Sequence, residues 1–572
     1  MTGHATRTER AVNGVLLPGF EGTGQDGDGV PAWLADAARA GLAGVVYFAR
    51  NTPDVASTAA LSAALHAIAP RLVIAVDEEG GDVSRLEATT GSSLPGAAAL
   101  GALPCTTGSL DAGRALGRVL AATGIDLVLG PVLDVASEPE NPVVGVRAFG
   151  TAPDVVAQHG IAFARGVRSA GVGVCGKHFP GHGATTVDSH LGLPVVEAAL
   201  DVVRERDLLP FARALRPEAR DAGQAQPGQS RLDAIMTAHV LFPAIGPAPA
   251  SIEPAATRLL RELGHDGPII TDALDMGALH DLTGSVGEAA VRAIEAGADL
   301  LCLGLDPCLY AESYDALQRA LASGRVTVER LEQSGARTQA LVDALHGRRA
   351  AVGTPNGVGA AQAALAELAG VGAAIADAVV QVRGARLVPI EPDAAPAVVD
   401  LRTRLDHAAG RTASHVQNAI TAVWPGARSF PEAGSTPEST ESGQDEHGLD
   451  VLIDRITRYG GTADLDRAGI GHGAYFPTGA QAPDAAPGPE RLVVITREPF
   501  PGSGERPRLE RLWAVRPDLV VVHTGLPGPV DEWFGTLAGG GPAVVVACGT
   551  GRANAVAAVA RLSAAELNGD ER

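Results

Sequence analysis

The chain has 572 residues, 45 of them basic and 66 acidic, for a net charge of -21. That balance repels phosphate backbones and anionic lipid, so nucleic-acid and membrane-surface roles are disfavoured. A composition 46% hydrophobic and 19% charged is that of folded globular domains, and the length suits two to four of them at roughly 100–200 residues each.

In chain order, the first 350 residues alternate short apolar runs with longer helical patterns. The expected strands are Val12–Leu17, Gly44–Phe48, Leu72–Val76, Asp126–Leu129, Val172–Cys175, Ala234–Met236, Ile269–Thr271 and Leu300–Leu303. Amphipathic stretches such as Pro53–Ala67, Ala112–Ala122, Pro153–Ser169 and Val286–Ala296 fall between them. Eight strands, each followed by a helix, predict a (β/α)8 TIM barrel, an α/β fold whose chemistry sits just after the strands. A polar insert at Ala219–Ser230 reads as a surface loop, and a helix near Thr327–Leu345 closes the domain. Residues 347–358 read as a linker, dividing a catalytic barrel (1–350) from a C-terminal domain (351–572). The second domain carries strands at Ala397–Leu401, Leu492–Thr496, Leu519–His523 and Ala543–Ala547, which predicts a doubly wound α/β sheet. Segment Pro431–Gly448 is acidic and rich in Pro, Ser and Gly, and is expected to be mobile.

Polar groups cluster directly after the strands of the first domain. Strand three runs into Asp77-Glu78-Glu79-Gly80-Gly81 and then Arg85; NPVVGVRAFG with Arg147 follows strand four. Strand five leads into Lys177-His178-Phe179-Pro180-Gly181-His182-Gly183, then Asp188-Ser189-His190; strand six ends at Thr237-Ala238-His239 and strand seven at Thr271-Asp272. Lys177 is the only lysine of the chain, against 44 arginines, a bias that suggests GC-rich coding. A compact ammonium retained in such a background points to a site that a planar guanidinium does not suit.

The residue types leave several readings open. Asp272 could be a nucleophile, a general base, a metal ligand or the N-cap of the helix that follows. Pro180, Gly181 and Gly183 forbid a regular helix, so the segment from Lys177 to His190 reads as a loop that places side chains. His178, His182, Asp188 and His190 could hold a metal, which would make the protein a metal-dependent hydrolase. Alternatively, Asp188 and His190, two residues apart in extended chain, could form an acid/base dyad in which the carboxylate orients the imidazole. His239 and Asp275 read as packing and helix-start residues. Gly549-Thr550-Gly551 only faintly suggests a phosphate turn, since the full dinucleotide pattern is absent.

KHFPGHG, four residues and then DSH resembles the signature of family three glycoside hydrolases of the β-N-acetylglucosaminidase branch. The DEEGG, NPVVGVRAFG, IMTAHV and TDALDMGAL stretches are similar to further family segments in the same order. The resemblance covers residues 10–350 and reaches the remainder only as a two-domain layout. It implies a retaining exo-β-N-acetylglucosaminidase acting on muropeptides or chitooligosaccharides through a covalent glycosyl-enzyme. It assigns Asp272 as nucleophile, His190 as acid/base and Asp188 as the group orienting it. Asp77, Arg85, Arg147, Lys177 and His178 would line the terminal sugar pocket. Relatives carry a basic residue where this chain has Asp82, which implies an altered subsite edge.

A histidine acid/base does not repel an anionic acceptor, so a phosphorylase using phosphate in place of water is the alternative activity; a non-catalytic sugar-binding protein is a third reading. The resemblance implies no metal and no cofactor, and the expected partner is a small carbohydrate, with no nucleic acid and no membrane. Five cysteines, an odd number in a long chain, make no disulfide framework. With no signal-peptide pattern and no apolar run of about 18 residues, the chain is expected to be soluble and cytoplasmic.

Overall fold

The computed structural model describes residues 5–23, 29–189, 191–216, 232–402, 414–430, 491–500, 503–535, 537 and 541–563. The chain forms two compact units, the first spanning Met1–Ala378 and the second beginning at Val379. In the first unit eight parallel strands run in sequence: β1 (Leu16–Pro18), β2 (Gly44–Tyr47), β3 (Val73–Val76), β4 (Leu127–Val128), β5 (Gly173–Phe179), β6 (Ala234–Thr237), β7 (Ile269–Thr271) and β8 (Leu301–Leu303). Strands β2 to β7 pair in chain order. A parallel bridge between Ile270 and Leu300 joins β7 to the start of β8, and β8 pairs with β1. Just before β2, the Ala43 amide donates to the Asn13 carbonyl near β1.

The two-residue period of the strands sorts their side chains between two cores. Leu17, Val46, Ala75, Leu127, Cys175, Met236, Ile270 and Cys302, one from each of β1 to β8, share a single inner cluster. Leu16, Val45, Ile74, Val128, Val174, Ile235, Ile269 and Leu301 alternate with them and pack outward against the helices. One cluster fed by all eight strands means that the sheet curls around its own inner face.

The N-terminal strand ends carry a polar layer of their own. Asp126, Asp233 and Asp299 precede β4, β6 and β8; Asp126 and Asp299 are buried, and the side chain of Asp233 is nearly so. Each accepts a backbone N–H from the preceding strand: Ile74 to Asp126 at 2.9 Å, Val174 to Asp233 at 3.0 Å and Ile269 to Asp299 at 3.1 Å. Arg349, Arg348 and Arg337, all on the helix Val328–Val352, clamp the three carboxylates in that order. Buried carboxylates persist when paired and hydrogen-bonded, and these are both.

The helices Pro153–Ser169 and Val286–Ala296 have the bounds expected from their periodicity. Other boundaries moved. Val12 belongs to the helix Arg7–Asn13, because Thr6 and Glu9 form a reciprocal capping box that starts it there, and β1 begins only at Leu16. The fifth strand does not stop at Cys175 but continues to Phe179, so Lys177 and His178 lie on the strand itself. Its extension is paid for by pairing on both sides: Lys177 N donates to Pro131 O, Leu133 N to Lys177 O and Ala238 N to Phe179 O. Residues 347–358, expected as a linker, hold the end of the helix Val328–Val352 and the start of the helix Val358–Val379. Ala361, Ala364, Leu368 and Ile375 of the latter join the first unit's core. This helix also corrects the expectation that no segment is apolar enough to span a membrane. It has 22 residues and a mean hydropathy of 1.5 over its best window, because alanine and glycine dilute few charges. Segments Ala219–Ser230 and Pro431–Gly448 lie outside the described residues.

The second unit is an α/β sheet whose strands are β9 (Gln381–Arg383), β10 (Ala397–Asp400), β11 (Arg428–Phe430), β12 (Leu492–Thr496), β13 (Val520–His523) and β14 (Ala543–Val546). They lie in the order β11-β10-β12-β13-β14-β9, all parallel except β9, which pairs antiparallel with β14. The chain adds β11 on one side of β10 and β12 on the other, as a doubly wound sheet does.

Candidate active site

The C-terminal ends of β3, β4 and β5 bring together Asp77, Arg85, Arg147 and Lys177, with Glu79 at their centre. Lys177 is 2% exposed, and its Nζ donates to Asp77 Oδ1 at 2.6 Å and lies 2.7 Å from Glu79 Oε1. Arg147 grips Glu79 with both arms of its fork, Nε to Oε2 at 2.9 Å and Nη2 to Oε1 at 2.8 Å. Burial alone would raise the Glu79 carboxyl, but Arg147 and Lys177 outweigh it and hold it far below its usual range. Burial likewise works against the Lys177 ammonium, and Asp77 and Glu79 more than offset it, leaving it above its ordinary value. Asp77 and Arg85 keep 22% and 17% of their side chains exposed, with Arg85 Nη2 3.8 Å from Asp77 Oδ2. They form the open edge of the cluster, and the Lys177–Glu79–Arg147 layer braces them from behind.

Two glycines let the backbone make this corner. Gly81 has φ +60°, and a Cβ there would lie 2.5 Å from the Gly96 backbone. Gly183 has no room at all, since a Cβ would sit 1.8 Å from the Val135 carbonyl oxygen. Asp82 stands at the turn closed by the Gly80–Val83 pairing.

His178 points to a residue that motif reading passed over. Asp134, fully buried after β4, lies 2.7 Å from His178 Nδ1 through Oδ2, and its Oδ1 accepts the amides of His178 and His182. Burial opposes its charge, yet His178, His182 and these N–H groups hold its carboxyl below the usual value. His182 is held by two hydroxyls. The Thr185 hydroxyl lies 3.0 Å from the His182 carbonyl and 2.9 Å from its Nδ1. Its Nε2 lies 3.0 Å from the Ser189 hydroxyl, so each ring nitrogen faces a hydroxyl that can donate or accept. Burial pushes the ring down to about 4, which keeps it neutral. Both of its nitrogens, and Nδ1 of His178, are thus engaged by protein groups. Ser189 also accepts the Ala278 amide through its carbonyl, tying the β5 segment to the segment after β7.

Asp272 follows β7, with its amide donating to the Thr237 carbonyl and its Oδ1 accepting the Ala273 amide at 2.9 Å. The helix beyond it starts at Gly277 with Met276 at the N-cap, so Asp272 does not cap it. Asp272 stands just after β7, at the same end of the curled parallel sheet as the cluster after β3 to β5; burial, and then Asp272, Asp77 and Asp275, push the Cys302 thiol well up, with Lys177 acting in the opposite sense. Asp188 is buried, and its carbonyl accepts the Leu191 and Gly192 amides. His190, the expected acid/base, lies outside the described residues. His239 and Asp275 are structural: His239 bonds Ser251 Oγ and the Ala273 carbonyl, and Asp275 accepts the Gly304 amide.

Glu78 faces away from this charge cluster into the loop that carries Arg85, accepting the Arg85 and Leu86 amides at 2.8 and 2.9 Å. Burial raises its carboxyl to about 7 despite these bonds. Below roughly pH 4.5 folded and unfolded chains both hold its proton. Between there and about 7 only the folded chain does, so this group's contribution to stability falls as pH rises across that window. Glu78→Gln keeps an accepting oxygen and is expected to remove a fall on the order of 3 kcal/mol. Urea midpoints at pH 5 and pH 8 check this; a wild-type-to-variant gap that stays constant between them contradicts it.

Sequence reasoning missed Glu79 as the hub and Asp134 as the anchor of His178. The available signal for Asp134 was a single acid in the apolar run LVLGPVLDVA after β4.

Residues 28–341 match the glycosyl hydrolase family 3 N terminal domain. β-Hexosaminidase A of Pseudoalteromonas piscicida is 34% identical over 325 residues, 52% of this chain and 52% of that protein, so the match spans about half of its length. The β-hexosaminidase of Pseudomonas aeruginosa (strain LESB58) is 37% identical over 300 residues, 51% of this chain and 84% of that protein. A solved glycoside hydrolase family 3 β-N-acetylglucosaminidase from Paenibacillus sp. str. FPU-7 has a TM-score of 0.72 at 27% identity, over 97% of this chain and 96% of that one. With more than half of its length matching the family domain, and with the strand-end cluster lying inside the matched region, the chain belongs to glycosyl hydrolase family 3.

Proposed function

We propose that the protein is a retaining exo-β-N-acetylglucosaminidase that removes terminal N-acetylglucosamine from muropeptides or chitooligosaccharides. The observation that carries this reading is the braced Asp77–Lys177–Glu79–Arg147 cluster at the same strand ends of the curled sheet as Asp272. A carboxylate and a guanidinium at its open edge suit the vicinal hydroxyls of a terminal sugar, and Lys177 adds a compact donor behind them. The relatives named β-hexosaminidase support the choice of sugar. In this reading the strands of the first unit close into a (β/α)8 barrel and the second unit, from Val379, forms an accessory domain. Asp272 attacks the anomeric carbon, and His190, oriented by Asp188, protonates the leaving oxygen and later activates water. Asp77, Arg85, Arg147, Lys177 and His178 hold the sugar. The reaction needs no cofactor, and the enzyme works in the cytoplasm on small carbohydrates, with no nucleic-acid or membrane partner.

Product analysis tests this directly. On aryl β-N-acetylglucosaminide the first-formed sugar is expected to be the free β-anomer, at a rate well above that on the aryl β-glucoside. Glucoside preference, or α-anomer formed first, overturns the assignment. The same assay with inorganic phosphate separates hydrolysis from phosphorolysis, since a phosphorylase would yield the sugar 1-phosphate.

A further inference from the structure

One cavity of the first unit lies apart from the charge cluster. It measures about 570 Å³, within the roughly 300–1,000 Å³ of small-molecule sites, and is lined by Glu21, Trp33, Arg50, Leu305 and Asp306 among others. Glu21 follows β1, Arg50 follows β2, and Leu305 and Asp306 follow β8, so the cavity opens at the same strand ends as the candidate active site. Strand order places it in the sector from β8 through β1 to β2, beside the nucleophile strand β7.

We propose that this cavity receives the leaving-group sugar, the pyranose β-linked to the terminal N-acetylglucosamine, with Trp33 as its platform. The inference rests on the reading of the preceding subsection. A sugar whose hydroxyls are held over β3 to β5 and whose anomeric carbon meets Asp272 on β7 directs its aglycone away from β3–β5, past one flank of β7. On the β6 flank His239 is fully buried, spanning Ser251 and the Ala273 carbonyl, and turns no free polar group to a sugar through these two contacts. On the β8 flank Leu305 and Asp306 line the cavity, and the Gly304 amide just before them donates to Asp275 at 2.8 Å, tying the segment after β7 to the cavity's edge. Trp33 is the only tryptophan before residue 424. It is half-buried, with its ring held against Tyr310 at a centroid distance of 5.1 Å. A flat, preoriented ring with a nearby ion pair, Arg50 with Glu21, presents the apolar face and polar margin that a pyranose requires.

The test compares two substrates with similarly poor leaving groups, methyl β-N-acetylglucosaminide and N,N′-diacetylchitobiose. Trp33→Ala is expected to lower kcat/KM on the disaccharide by about tenfold while leaving the methyl glycoside nearly unchanged, and Trp33→Phe to recover part of the loss. Equal slowing on both substrates, or none on either, overturns the proposal while the activity assignment stands. Wild-type enzyme that cleaves neither substrate sinks the activity assignment, and this inference with it. Should the alanine variant not fold, Trp33→Leu, apolar but without a flat ring, carries the same comparison.

Discussion

Asp272→Ala is expected to abolish turnover of an aryl β-N-acetylglucosaminide, lowering kcat by more than the roughly 10²–10⁴-fold that a single acid/base group contributes. The carboxylate follows β7, and its Oδ1 accepts one neighbouring amide, from Ala273. Met276, not Asp272, occupies the N-cap of the next helix. Removing it withdraws that hydrogen bond, worth about 1 kcal/mol, among the carboxylate's contacts, so the melting temperature is measured beside kcat to separate lost chemistry from lost fold. Large loss of kcat with small loss of stability is the signature of a group acting on substrate. Near-normal kcat in a folded variant would remove Asp272 from the mechanism and leave it a structural residue.

Glu79→Ala is expected to have the largest effect on stability, on the order of 3–5 kcal/mol. Its carboxylate is the shared partner of two buried cations, Arg147 through a two-pronged contact and Lys177 at 2.7 Å. Truncation takes from two buried cations the carboxylate they share, leaving Lys177 its bond to Asp77 and Arg147 its bond to the Val143 carbonyl among their remaining contacts. Chemical denaturation reads the loss; a midpoint within experimental error of wild type would mean that the cluster is solvated and its brace unimportant. Lys177→Arg is the companion variant. It preserves charge but adds a planar fork where Nζ already sits 2.6 Å from Asp77 and where Arg147 occupies the Glu79 oxygens. Overpacking of this kind costs about 1–3 kcal/mol, and a displaced Asp77 should appear as a raised KM.

Much of this was legible from residue order. Each strand of the first unit is a short apolar run, so its position could be read, and Asp77, Arg147 and Lys177 fell at strand ends that parallel pairing brings together. Their partnerships were not legible. Glu79 and Arg147 are 68 residues apart, and nothing in either segment says which of two adjacent glutamates turns inward. Glu78 and Glu79 differ only in the face of the chain they occupy, and that difference sends one carboxyl up and the other down. The three aspartates at the opposite strand ends were equally opaque, because each looks like an ordinary turn acid until a helix from residues 328–352 delivers its arginine. The helix Val358–Val379 begins where a helical pattern resumes in the sequence, but the glycines and proline just before it suggested a linker and so assigned it to the second domain, whereas its apolar stripe packs on the first unit's core.

The enclosure of Lys177 also has a meaning in the genetic code. A lysine codon becomes an arginine codon by one A-to-G change, the direction in which a GC-rich coding sequence drifts. Every other cationic position in the chain holds arginine, as though that step had been open wherever the side chain could reach solvent or a roomy carboxylate. At Lys177 the space between Asp77 and Glu79 admits a single nitrogen. Packing at one strand end thus acts as a filter on nucleotide substitution, and the composition of the whole chain becomes the background against which that one cavity can be seen.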